Sequence, residues 1–113
     1  MIYIVSAIVE LGAGVAFLFF PLLATTLLIG IPLETPAGMT VTRIGGVALL
    51  SLGIVCYFAQ GDRGVIVAMS SYNVLTVAVI VLSNRFFKLL GGALWLVVVL
   101  HSVMAAWCIF YLT

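Results

Sequence analysis

Charge is what this sequence has least of. Four basic and three acidic residues in 113 make only 6% of the chain. Soluble domains carry about a quarter charged residues, so the surface needed to keep this chain in water is missing. Four scattered cations also make no basic patch, which excludes a nucleic-acid footprint. There is one histidine, and a haem held by two axial histidines is thereby ruled out. The two cysteines, Cys56 and Cys108, form no CxxC pair, so the signature of a dithiol redox centre is absent. Each falls late in a span on the same membrane face. A disulfide between them is conceivable, but they read first as small apolar side chains packed between helices. No nucleophile elbow, metalloprotease helix or phosphate-binding loop occurs, and no metal-ligand spacing links Glu10, His101 and a cysteine.

Apolar residues take the place of what is missing. They make up 66% of the sequence, and the mean hydropathy is +1.48. A membrane-spanning helix needs about 20 mostly apolar residues, and segments of that length fill nearly the whole chain. The pattern predicts an all-α membrane protein, a four-helix antiparallel bundle forming one transmembrane domain. The spans cover about residues 2–20, 40–60, 65–83 and 93–112. Met1-Ile2-Tyr3 offers no basic flank, and Glu10 would interrupt a signal-peptide core, so the first span is expected to be retained.

Pro21 stops or kinks the first helix. Leu22 to Gly30 is too short to cross alone; it either continues that helix or lies at the interface. Ile31 to Gly38, with two prolines and Glu34, is the first loop. Gly61-Asp62-Arg63-Gly64 is a tight polar turn. Asn84 to Gly92 reads as an amphipathic connector, with Arg85 and Lys88 at the headgroups and Phe86 and Phe87 in lipid. Tyr3, Tyr57, Trp107 and Tyr111 fall at one membrane face, and Phe19, Phe20, Phe86, Phe87 and Trp95 at the other, as aromatic belts require. Arg43, Arg85 and Lys88 outnumber Arg63, which by the positive-inside rule puts the termini outside.

The residues that do not fit lipid are the informative ones. At 1.5 Å per residue, Glu10, Asn73 and His101 each lie about 12 Å into their helices, near the midplane. Arg43 enters from the opposite face, with a side chain long enough to reach toward Glu10. Ser6, Glu10, Ala13, Gly14 and Phe17 share one helical stripe, and Arg43, Gly46, Leu50, Gly53 and Tyr57 another. Small residues let helices approach closely in lipid, so the polar groups on those stripes should point inward. A cluster of Glu10, Arg43, Asn73 and His101 is therefore expected. Its plain reading is structural: a buried Glu10–Arg43 ion pair, an interhelical hydrogen bond from His101, and Tyr72-Asn73 as contact between helices. Its functional reading is a carboxylate that binds a ligand or carries a proton.

Glu10 to Pro21 (ELGAGVAFLFFP) resembles the first helix of the small DoxX-like bacterial membrane proteins. Thr42 to Gly53 (TRIGGVALLSLG) resembles their second, an arginine followed by spaced glycines. The resemblance implies a compact four-helix bundle in the bacterial cytoplasmic membrane and, because some members are associated with quinone-linked sulfur oxidation, a quinone. Glu10 and Arg43 match its motifs; Asn73 and His101 lie outside them. The small multidrug-resistance transporters are similar in length, helix number and first-helix glutamate, but their tryptophan- and proline-bearing patterns are missing here. The expected function is a binding or accessory membrane protein that holds a lipid-like or quinone-like ligand at the polar cluster. The rivals are a dimeric proton-coupled transporter working through Glu10 and a structural subunit of a membrane complex. Membrane lipids, a second copy or another membrane subunit are the expected partners.

Overall fold

A computed structural model describes residues 1–113. It contains five helices: α1 (Ile2–Phe19), α2 (Pro21–Ile29), α3 (Pro36–Phe58), α4 (Arg63–Phe87) and α5 (Leu94–Leu112). Four of them, α1, α3, α4 and α5, are long and apolar enough to cross a membrane. Only 20 of the 113 residues are buried, and large apolar side chains from Ile8 to Phe110 stand exposed. Such an exterior belongs in hydrocarbon rather than water.

The boundaries follow local chemistry. Pro21 has no N–H to continue α1; the chain breaks at Phe20 (φ −128°, ψ 53°), and α2 starts with the proline in its first turn. Leu22 to Gly30 is thus a separate short helix. Thr25 ties it down, donating to the Pro21 carbonyl (2.9 Å) and accepting from the Leu33 N–H (3.2 Å). Helix α3 begins at Pro36, four residues earlier than expected, because Thr35 caps it by accepting from the Gly38 N–H (3.0 Å). Asp62 caps α4 in the same way through the Gly64 N–H (2.7 Å).

The segment 84–92 differs from the separate amphipathic connector expected of it. No glycine or proline lies between Gly64 and Gly91, so α4 runs on through Phe87 and ends where Lys88 adopts a left-handed conformation (φ 49°). Phe86 and Phe87 stay exposed, as a lipid-facing last turn requires. The remaining loop tucks under α2. The Leu90 and Ala93 N–H groups donate to the Ile29 and Leu27 carbonyls (3.3 and 2.8 Å). A Cβ on Gly91 would land on the Leu28 carbonyl group, so only glycine lets the two backbones meet there.

Packing divides the bundle into two pairs, α1 with α3 and α4 with α5. Glycine makes the first pair close: Gly14 lies against Leu50, Gly46 against Leu18 and Gly53 against Leu11. The pairs join at the end that holds both termini. There Ile2, Tyr3 and Ala7 meet Cys56, Ile66, Met69 and Cys108, and the two cysteines are buried free thiols. The Tyr3 hydroxyl donates to the Asp62 carbonyl (2.9 Å), and the Arg63 guanidinium to the Leu112 carbonyl (3.0 Å). Toward the other end the pairs separate, and α2 fills part of the gap.

Candidate functional site

A cavity of about 480 Å³ lies where the two helix pairs diverge. Helix α1 contributes Ile8, Gly12 and Phe17 to its wall, and α2 closes its far end with Leu27 and Leu28. Helices α4 and α5 supply Ile80, Val97 and Leu100. Ile8, Leu27 and Leu100 are themselves exposed, so the cavity opens sideways between helices, toward the place that lipid chains occupy. A Cβ built on Gly12 meets nothing within 4 Å, which marks open space at that mouth.

The polar lining is confined to the deep end: Glu10, Tyr72, Thr76 and His101. Glu10 is 1% exposed, and its Oε2 has no hydrogen-bond partner. The side chains of Tyr72 and Thr76, one turn apart on α4, form a short chain toward it, Thr76 interacting with Tyr72 and Tyr72 with Glu10. His101 is buried, stacks edge-on against Tyr72 (5.5 Å between ring centres, 80°) and bonds through Nδ1 to Asn73 Oδ1 at 2.6 Å. Asn73 is itself oriented by donating from Nδ2 to the Met69 carbonyl (2.8 Å). One turn from Glu10, Ser6 carries a second buried oxygen without a partner. Buried polar atoms in folded proteins nearly always have partners, so two orphans on one stripe of α1 are exceptions, and of the two only Glu10 lines the cavity.

Of the four residues expected to cluster, the structure brings three to one level. Glu10 and His101 line the same cavity, and Asn73 holds His101 from behind. Arg43 stands apart. In the α1–α3 register, Leu11, Gly14 and Leu18 face Gly53, Leu50 and Gly46, so Glu10 is level with Ile54. Eleven residues separate that level from Arg43, about 16 Å along the helix. Arg43 is exposed beside Phe19, Phe20 and Met39, at the break between α1 and α2. An ion pair between Glu10 and Arg43 therefore does not form. Tyr72, read from sequence only as a contact between helices, instead lines the cavity beside the carboxyl group and interacts with it. Its i, i+4 spacing from Thr76, at the depth of Glu10, is the signal that would have found it.

A long apolar helix bundle with a lipid-facing cavity and a buried polar end defines the class: a multi-pass α-helical membrane protein. A scan of protein-family models and searches of curated proteins and of solved structures return no match for the chain.

Proposed function

We propose that this protein is a small binding or accessory subunit of a bacterial cytoplasmic membrane, one that holds a lipid-like or quinone-like molecule between its two helix pairs. The observation that carries this reading is the shape and chemistry of the cavity. Its wall is apolar and opens toward lipid, while Glu10, Tyr72 and His101 stand together at its closed end. That division suits an amphiphile, whose tail is matched by the wall and whose head is oriented by a few fixed polar groups. Membership of the DoxX-like group remains part of this proposal and rests on Glu10 to Pro21 and Thr42 to Gly53. Purification in mild detergent, followed by native mass spectrometry and organic extraction, tests the reading. One bound chain-bearing molecule per protein is expected, and it should be missing from a Gly12→Phe variant, whose new side chain enters the open mouth. Wild-type protein that carries and accepts no such molecule would end the proposal.

The transporter reading gains one specific support. With Arg43 about 16 Å from its level, Glu10 has no cationic partner to hold it ionised. Proton flux in proteoliposomes that is identical for the native chain and Glu10→Gln would remove that alternative.

A further inference from the structure

Two positions at the deep end of the cavity stand without a partner in the protein, and both can accept a hydrogen bond. Asn73 gives an amide hydrogen to the Met69 carbonyl, which turns its Oδ1 toward His101 Nδ1. That oxygen carries no proton, so the hydrogen between them belongs to Nδ1. A neutral imidazole then leaves Nε2 as a lone-pair acceptor, and nothing in the protein bonds to it. What remains is Glu10 Oε2, buried and without a partner. A carboxylate in such a place needs a donor.

Size limits the occupant further. At about 30 Å³ per water-sized group, a cavity of about 480 Å³ holds roughly sixteen such groups. Tyr72 to Ile80 on α4, and His101 to Ala93 on α5, give it an axial length of about 12 Å. A whole two-chain phospholipid does not fit in that space, whereas one chain of about a dozen carbons does.

Building on the cavity reading above, we infer that the occupant is a single-chain amphiphile whose small head, an ammonium or a hydroxyl, donates hydrogen bonds to Glu10 Oε2 and His101 Nε2. Its tail runs toward Leu27 and Leu28. A head that only accepts, such as a quinone carbonyl, finds no donor at His101 Nε2.

The full chain, freed of co-purifying molecules and titrated by native mass spectrometry, tests this with three probes of one tail length: dodecylamine, dodecan-1-ol and dodecyl methyl ether. The amine and the alcohol should each bind one per protein, about tenfold or more tighter than the ether. An amine preference over the alcohol that disappears in Glu10→Gln identifies the head as cationic; equal affinity of the two identifies it as hydroxyl. His101→Phe should narrow the alcohol-to-ether ratio while the ether still binds. Gly12→Phe should abolish all three, with helix content unchanged by circular dichroism. If the ether binds the native chain as tightly as the alcohol, the donor head is refuted while the cavity reading stands. If none of the probes binds, the cavity reading and the inference fall together.

Discussion

Gly14 and Gly46 offer the sharpest test of how the α1–α3 pair is held. A methyl group at Gly14 would sit 2.7 Å from the Leu50 backbone nitrogen, and one at Gly46 would sit 2.6 Å from that of Leu18. Ordinary contact begins near 3.4 Å, so each alanine must push the backbones apart by about 0.7–0.8 Å. Neither obstacle is the end of a flexible side chain, so the whole interface has to open. A radial gap of that size forfeits a quarter to a half of each van der Waals contact along the seam. In lipid, such contacts are most of what holds two helices together. Overpacking of this kind costs about 1–3 kcal/mol, so Gly14→Ala and Gly46→Ala should each destabilise by about 2 kcal/mol. The two costs should not add, because a seam opened for one methyl group already accommodates the other. The double variant should lose about 2–3 kcal/mol rather than 4. Gly45 and Gly92 are the controls. A Cβ there meets nothing within 4 Å, and alanine at Gly45, inside α3, should be neutral or raise stability by about 0.5–1 kcal/mol. Unfolding in mixed micelles with rising dodecyl sulfate, followed by circular dichroism, gives the five values. A Gly14→Ala protein as stable as Gly45→Ala, or strict additivity in the double variant, would refute the close seam.

Three further outcomes follow from the site. Asn73→Leu removes the oxygen that fixes His101 and should cost about 1 kcal/mol, in the range of polar contacts between membrane helices; nitrogen NMR should show the His101 proton no longer confined to Nδ1. Glu10→Gln and Arg43→Gln should be additive within about 0.3–0.5 kcal/mol in an unfolding cycle, as expected of sites this far apart, and a larger coupling would contradict the register. Gly91→Ala should loosen the loop under α2 and be seen as faster amide exchange at Leu90 and Ala93, whose N–H groups bond to the end of that helix.

Span number and approximate position were legible because apolar length is imposed by the bilayer and owes little to packing. Helix ends were less so. Thr35 caps α3 earlier than hydropathy alone suggested, since a cap is a single hydrogen bond that hydropathy does not register. Within the site, counting depth from a helix start served for Asn73 and His101 because α4 and α5 are joined by a short connection that fixes their level. It failed for Arg43. Whether two side chains on α1 and α3 meet depends on how those helices slide past one another, and that is decided by glycine contacts and by α2, which lies between them in sequence. Tyr72 was legible only as a contact between helices, because depth counting does not show which side chain on a neighbouring helix its hydroxyl faces.

The division into two helix pairs also bears on how the chain is assembled in the membrane. Each tight seam lies within a continuous half of the sequence: α1 with α3 before Gly61, and α4 with α5 after it. The first hairpin can close while the second is still being synthesised, and the cavity comes into being only when the two halves dock. Severed at the Gly61–Asp62 turn and made as two polypeptides, the halves should insert separately and associate through the end that gathers Tyr3, Cys56, Met69 and Cys108. Ligand binding then becomes a reporter of docking rather than of the folding of either half.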